Sequence, residues 1–220
     1  MSDGGIKALF DAEGLARIRQ VTAAAEAKSG GEIVPYLVAR IDDYPEARWR
    51  AATLGALLFS LLAGAIYPFS GAWDANPLPW IGLPPALGIA YGLLLAQWPA
   101  LRRRLVCNAE IERRLHLRAE AAFLQEEIFA TADRSGILLF LAVFEQRALV
   151  LADSGIHRRI PEETWQQLID VMVAGIKAGR PAEAVCAAIE RCGDILAEHR
   201  IERHADDSNE LADGLRVRES

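Results

Sequence analysis

The chain has 220 residues, and its 24 Lys and Arg against 30 Asp and Glu give a formal net charge of −6. This acidic balance argues against a nucleic-acid-binding protein, and a hydrophobic content of 52% argues against a disordered one. Because 25% of the residues are charged and the mean hydropathy is still positive, apolar and charged residues must be segregated along the chain. The composition predicts a folded protein that contains a membrane segment.

An amphipathic helix and a strand are the first predicted elements. Apolar residues recur there at helical spacing: Leu9, Leu15, Ile18, Val21 and Ala25. Gly30 and Gly31 end this helix, and residues 32–39 (EIVPYLVA) follow as a short strand rich in β-forming residues. Pro35 has no N–H group to donate to a ladder, so we expect this strand at the edge of a sheet or at a bulge.

Residues 51–101 are the membrane segment, in which Asp74 is the one charged residue. We predict two transmembrane helices, residues 51–69 and 80–101, because 19 residues at about 1.5 Å each nearly cross the ~30 Å hydrocarbon core. Aromatic residues lie near the ends of both spans: Trp49, Tyr67, Phe69, Trp73, Trp80 and Trp98. The alternative is a helical hairpin buried in a soluble core, which would normally show polar faces over some fifty residues.

Small residues in the two spans predict how these helices pack. Gly55, Gly64 and Ala65 lie in the first span, and Gly88 and Gly92 form a G-x-x-x-G pair in the second. Such residues allow helices to approach closely in a membrane, either within one chain or between two chains. We favour packing within the chain, because a short loop already tethers the two helices.

Basic residues predict the orientation in the membrane. Arg48 and Arg50 precede the first span and residues 102–104 (RRR) follow the second, whereas the connecting residues 70–79 contain no Lys or Arg. The positive-inside rule therefore places both termini in the cytoplasm and the loop outside. The opening residues lack the apolar core of a secretory signal, which agrees with a soluble part that stays inside. We predict a multi-pass protein of the inner (plasma) membrane.

The remaining elements follow the second span. Apolar residues at helical spacing extend its helix towards Ala130. Residues 137–144 and 147–153 then form a β-hairpin across a two-residue turn. Pro161 and Pro181 begin two further helices. This order predicts an α/β fold, with a mixed sheet covered by helices and interrupted by a two-helix transmembrane hairpin.

The domain organisation follows from the position of the membrane segment. Without residues 51–101 the chain keeps 169 residues, enough for one domain with a proper core. We predict one cytoplasmic domain split between residues 1–50 and 102–200, because neither half has a complete core alone. Residues 201–220 are rich in acidic residues and poor in large apolar ones, so we expect a flexible acidic tail.

Two blocks of the soluble part carry motifs of a known family. The block AEAKSGGEIVPYLV, from Ala25, resembles an amphipathic helix followed by Ser/Thr-Gly-Glu-Ile and a strand. The block TADRSGILLFLAVFEQRALVLADSGIHRRIPEETW, from Thr131, resembles Thr-x-x-Arg-Asn-Gly-Val-Leu, a short turn, an Arg-containing return strand, Asp-x-Gly-Ile and a Trp-bearing helix. The chain is thereby identified as a member of the TPM domain family, small α/β domains of bacteria and plant chloroplasts. The membrane hairpin falls between the two blocks, as in a membrane-anchored bacterial branch of that family.

The resemblance implies a TPM-like fold but no single activity. Members are associated with divalent-cation binding, with acid phosphatase activity in chloroplast forms, and with the upkeep of membrane protein complexes. Ser135 stands where related domains have Asn directly before the glycine of the strand-opening turn. A hydroxyl is a weaker metal ligand than a carboxylate or an amide carbonyl, so this departure weakens the case for a metal site.

Asp133 and Asp153 are the candidate metal ligands, because they lie at the ends of the two hairpin strands. Calcium or magnesium would need such hard oxygen ligands, although two carboxylates are too few alone. The alternative is that each Asp forms an Asx-turn, which we favour, together with a pairing of Arg134 to these carboxylates. Glu32 would contribute if its strand lies beside residues 137–144. We expect at most a weakly bound divalent cation.

Other reactive side chains show no catalytic pattern. His199 and His204 are five residues apart, and His116 and His157 lie among arginines, so none is expected to bind zinc. The three cysteines form no CxxC pair and are expected to be reduced: Cys107, Cys186 and Cys192. No phosphate-binding loop, dinucleotide motif or G-x-S-x-G nucleophile is present in the sequence.

Two functions from different classes remain. The first is a membrane-anchored binding or scaffolding module, in contact with the lipid bilayer and another membrane protein, with a homo-oligomer as a further option and no nucleic acid. The second is a divalent-cation-dependent phosphatase, in which Asp133 and Asp153 hold the ion and Arg134 binds the phosphate. The first is our prediction, because the second lacks a further ligand.

Overall fold

The computed structural model describes residues 10, 12–69, 71, 76, 78–131, 133–199, 211 and 214–218. The described helices are α1 (Ala12–Glu26), α2 (Pro45–Ile66), α3 (Leu78–Leu95), α4 (Pro99–Leu105), α5 (Asn108–Gln125), α6 (Ser154–His157), α7 (Glu162–Lys177) and α8 (Pro181–Glu198). Two 3-10 turns follow α2 and α5, at Tyr67–Phe69 and Ile128–Ala130. The strands are β1 (Glu32–Val38), β2 (Gly136–Ala142), β3 (Arg147–Ala152) and β4 (Arg216–Arg218).

The four described strands form one mixed sheet in the order β3, β2, β1, β4. β1 runs parallel to both of its neighbours, and β2 and β3 are antiparallel. The register places Glu32 opposite Gly136, so a strand that precedes the apolar helices pairs with one that follows them. The predicted α/β class, with a mixed sheet covered by helices, is confirmed.

Both faces of the sheet are buried. On one face, Ile33 and Leu37 of β1 pack in a core shared with α1, α7 and α8. On the other face, Val34, Tyr36 and Val38 pack in a second core, to which α5 contributes. Alternate residues of a strand point to opposite faces, so a strand covered on both sides must be apolar throughout. This explains the continuous apolar runs of β1 and β2.

The described chain divides into two compact units. One consists of Met1–Asp42 and Glu112–Ser220, and the other of Asp43–Ile111. We predicted a break after residue 50 and another before residue 102, so the apolar unit includes several charged flanking residues. The split cytoplasmic domain remains a prediction, because no membrane side is defined by this division.

The apolar unit contains two helices that are long and apolar enough to cross a membrane, Pro45–Phe69 and Leu78–Leu95. The expectation that one helix continues from the second span towards Ala130 is wrong, because α3, α4 and α5 are separate. Trp98 has extended backbone angles and precedes Pro99, which disfavours helical geometry at the residue before it. Val106 is also extended and ends α4.

Pro35 lies in an interior strand, so the expected edge position of its strand is wrong. The sheet tolerates it because β4 pairs only with Tyr36, Leu37 and Val38. Glu32 donates its N–H to Ser135 on the β2 side, and Ala39 donates on the β4 side. Because N–H groups of successive residues point to opposite sides, an N–H at position 35 would face the β4 side. β4 does not reach that position, so the proline removes no hydrogen bond of the ladder.

The predicted two-residue turn between the hairpin strands is also wrong. Ala142 pairs with Arg147, which leaves the four residues 143–146 as the connection. Val143 and Phe144 donate their N–H groups to carbonyls of Val38 and Ala39, not across the hairpin. Pairing with β1 therefore ends the hairpin ladder early.

Residues 201–220 differ from the expected flexible tail where they are described. Arg216 and Arg218 of β4 pair with β1, and both lie within 3.5 Å of carboxylate oxygens of Glu126. Leu211 and Leu215 pack against the two cores. The rest of the tail lies outside the described residues.

Candidate functional site

The candidate site is the edge at which β1 and β2 begin and β3 ends, called here the acidic edge: Glu32, Asp133, Arg134 and Asp153. Parallel strands begin at the same edge, and the antiparallel β3 returns to it. Asp153 donates its N–H to Gly136 at 2.9 Å, which fixes the end of β3 beside the start of β2. The sequence left open whether Glu32 lies beside this hairpin, and the structure shows that it does.

Two loops at the acidic edge are in backbone contact. Arg134 has a φ of 53°, in the left-handed region, and its carbonyl accepts the N–H of Gly155 at 3.1 Å. A Cβ atom on Gly155 would lie 2.5 Å from the Asp133 carbonyl and 2.6 Å from that of Arg134. Thr131 Oγ1 accepts the Ser135 N–H at 3.0 Å and closes the turn. Glycine is therefore required at position 155 for the loops to meet.

Asp153 is buried and already has protein partners. Its Oδ1 accepts the N–H of Ser154 and caps the short helix α6. Its Oδ2 is buried without a hydrogen-bond partner among the described residues, and lies 3.6 Å from Arg134 Nη1. Asp153 thus forms the arginine pair that we favoured from the sequence, but not the Asx-turn, because the N–H of Gly155, two residues on, is donated to the Arg134 carbonyl.

The described residues fit a metal ion poorly. Within them, no group of three or more His, Cys, Asp or Glu side chains could hold one. Asp133 is exposed, whereas Asp153 is turned towards Ser154 and Arg134. A guanidinium beside a carboxylate also competes electrostatically with a cation. The assignment of Asp133 and Asp153 as metal ligands stays a prediction, and this geometry does not strengthen it.

The thiols and imidazoles do not form a reactive cluster within the described chain. Cys186 and Cys192 are both buried, and burial raises the pKa of each thiol. His116 and His157 are exposed, and the His199 Nδ1 lies 2.9 Å from the Ile195 carbonyl. The expectation that the two cysteines serve packing agrees with this placement. His204 lies outside the described residues.

Glu145 is a buried functional group that the sequence analysis missed. Its side chain is 5% exposed, and Oε1 accepts the N–H of Ile41 at 3.0 Å. Asp42 pairs with Arg114 at 2.8 Å, and the Arg40 guanidinium lies 5.4 Å from the centre of the Phe144 ring. Residues 40–42, which lead from β1 to the apolar unit, are therefore fastened to the sheet domain. An acidic residue in a predicted turn is expected to be solvated, so no local signal reveals this role.

Comparison with known proteins agrees with the motifs. The family model of the TPM domain matches residues 108–195. The chain is similar to the NMR structure of BA42 from the psychrophilic bacterium Bizionia argentinensis, with 15% identity, 95% coverage of each chain and a TM-score of 0.58. At that identity the likeness shows the fold alone, and no curated protein matches the chain. The resemblance seen in the sequence is therefore confirmed for residues 108–195, the part of the chain that matches the TPM domain model.

Proposed function

We propose that this protein is a membrane-anchored TPM-domain protein, whose α/β domain acts in the cytoplasm as a binding or scaffolding module for another membrane protein. Upkeep of membrane protein complexes is the role we assign to it. The anchor would be the pair of helices α2 and α3, placed in the inner membrane with both termini inside.

The arrangement of side chains on α2 and α3 carries this proposal. Their buried residues are small: Ala47, Ala51, Ala52, Gly55, Gly88 and Gly92. Their large apolar residues point outward, with Leu61 72% exposed and Leu94 65% exposed. A soluble core helix has the opposite pattern, with large apolar residues inside. Lipid is the environment that would solvate this surface.

Hydrogen bonds at the charged ends of the apolar unit support a hairpin with both flanks on the same side. Arg50 Nη1, near the start of α2, donates to the Leu105 carbonyl at 2.7 Å, at the end of α4. Arg102 donates to the carbonyl of Asp43, just before α2. The two basic flanks are thereby on one side of the helix pair, as two cytoplasmic flanks must be.

Cysteine labelling tests the proposed topology. In a Cys107→Ser background, Ser70→Cys in the connecting loop should react with a membrane-impermeant maleimide in intact cells. Ser208→Cys in the tail should react only after the cells are opened. The reverse pattern, or recovery of the protein in the soluble fraction, would contradict the anchor or its orientation.

The phosphatase remains the second candidate, and Asp153 Oδ2 is the observation that favours it. This buried oxygen accepts no hydrogen bond from the described residues and lies beside a cationic side chain that could bind phosphate. The described residues supply no third ligand group, so we derive no reaction step for a metal.

Calcium titration separates the two candidates. We expect at most weak binding to the detergent-solubilised protein, because Arg134 already neutralises Asp153. Calorimetry would measure this, with Asp153→Asn as the matched variant. The phosphatase would be favoured over the scaffolding module by two results together. The first is micromolar calcium affinity that Asp133→Asn or Asp153→Asn abolishes, and the second is turnover of a generic phosphate ester that Asp133→Ala abolishes.

A further inference from the structure

β3 is the edge strand of the sheet opposite β4. It pairs with β2 on one side, and the described residues place no strand on its other side. The side chains of Leu149, Val150 and Leu151 are only partly buried, although Leu149 and Leu151 pack on one core and Val150 on the other. An apolar strand with one open edge is a surface to which a further strand can pair.

The sequence of this edge is almost the same in both directions. Residues 147–153 are Arg-Ala-Leu-Val-Leu-Ala-Asp, centred on Val150. Two antiparallel copies paired about Val150 would place Ala opposite Ala, Leu opposite Leu and Val opposite Val. The two ends would place Arg147 of one copy opposite Asp153 of the other. The edge is therefore complementary to itself in size, in hydrophobicity and in charge.

The direction of the backbone groups permits this register. The backbone N–H and C=O groups of successive residues in a strand point alternately to its two sides. Asp153 donates its N–H to Gly136 of β2, so the backbone groups of residues 147, 149 and 151 also point towards β2. The N–H and C=O groups of Ala148, Val150 and Ala152 then point outward. Pairing about Val150 joins outward groups to outward groups, and about six hydrogen bonds can form across the two-fold axis.

We propose that two copies of this chain associate through β3, antiparallel and centred on Val150, so that two four-stranded sheets become one continuous sheet. Leu149 of each copy packs against Leu151 of the other, on the face of the sheet where the second core lies. Arg147 keeps 39% of its side chain exposed beside Glu112, and it approaches Asp153 of the other copy. Each end of the pair thus brings Arg147 of one copy beside the Arg134–Asp153 pair of the other, in which the Asp153 Oδ2 accepts no hydrogen bond from the described residues.

The opposite edge of the sheet does not share this complementarity. An antiparallel pair centred on Val217 would place Arg216 opposite Arg218, so two positive charges would meet at each end. Like charges directly opposite each other destabilise strand pairing. Charge as well as exposure therefore favours β3 over β4 for self-association.

Disulfide trapping in native membranes tests the interface and its register, in full-length protein with Cys107→Ser. Val150→Cys should form a cross-linked dimer with itself, because paired residues have Cα atoms about 4.5–5.5 Å apart, within disulfide range. Leu149→Cys should cross-link efficiently only when co-expressed with Leu151→Cys. Val217→Cys, on the other edge strand and 39% exposed, is the matched control and should remain monomeric.

Solution mass gives an independent measurement. Light scattering of the detergent-solubilised protein, corrected for detergent, should give twice the 24.1 kDa mass of the chain. Val150→Pro removes an outward N–H that the chain's own sheet does not use, and should give a monomer, whereas Val150→Thr should keep the dimer. A monomeric wild type, equal trapping at Val217→Cys, or efficient self-trapping of Leu149→Cys would each overturn the proposal. If Val150→Pro fails to fold, the trapping pattern alone decides between support and rejection.

Discussion

Gly88→Leu should separate the two apolar helices and is expected to be among the most damaging single substitutions in the chain. A Cβ atom at Gly88 would lie 2.2 Å from the Gly55 carbonyl oxygen and 2.8 Å from the Cα of Ala56. Both obstacles are backbone atoms, which cannot rotate away. We therefore expect the free energy of unfolding to fall by more than the roughly 1–3 kcal/mol typical of overpacked sites.

Gly82→Leu is the matched control, because it lies in the same helix and a Cβ there meets no atom within 4 Å. Equilibrium unfolding in increasing dodecyl sulfate, followed by tryptophan fluorescence, would compare the two variants. Gly88→Leu should unfold at a clearly lower fraction of dodecyl sulfate, and Gly82→Leu close to the wild type. An equal decrease in stability in both variants would contradict close packing of the two helices at Gly55 and Gly88.

A fragment consisting of residues 108–195, the segment matched by the family model, should not fold cooperatively alone. It lacks β1, which lies between β2 and β4 in the sheet. Without β1, Phe140 loses the Tyr36 ring that stacks on it at 5.5 Å, and the paired edge of β2 is exposed. The expected loss equals the whole free energy of unfolding, about 5–15 kcal/mol for a typical domain.

The matched control is a shortened protein in which residues 10–42 are joined to residues 112–218 through a short Gly/Ser linker. A short linker suffices, because Asp42 and Arg114 already meet at 2.8 Å. This protein should show a single thermal transition by circular dichroism, whereas the fragment should melt without cooperativity. A cooperative melt of the fragment with the same midpoint would show that β1 is dispensable.

The accuracy of sequence reasoning here depends on whether an element is specified locally. The helices α7 and α8 begin near Pro161 and Pro181 as predicted, because proline at a helix start acts on its immediate neighbours. β4 escaped detection because three residues in an acidic tail carry no periodic signal. It pairs with β1 and forms ion pairs with Glu126, and both partners are distant in sequence.

The acidic edge shows the same division. The pairing of Arg134 with Asp153 follows from the antiparallel hairpin, which brings the start of one strand beside the end of the other, so the sequence indicated it correctly. Glu145 was missed, because its partner Ile41 lies 104 residues away in the chain. A buried carboxylate in a turn is recognisable only once the element that covers it is known.

The register of Glu32 opposite Gly136 also sets the order of events during biosynthesis. About one hundred residues, including both apolar helices, must leave the ribosome after β1 before its partner β2 exists. Until then the apolar side chains of β1 have no sheet to join, and domains with such distant pairings fold slowly and expose aggregation-prone strands. In the proposed membrane-anchored protein, insertion of α2 and α3 would be complete before the sheet closes. A chain delayed at insertion would therefore present β1 to chaperones and proteases.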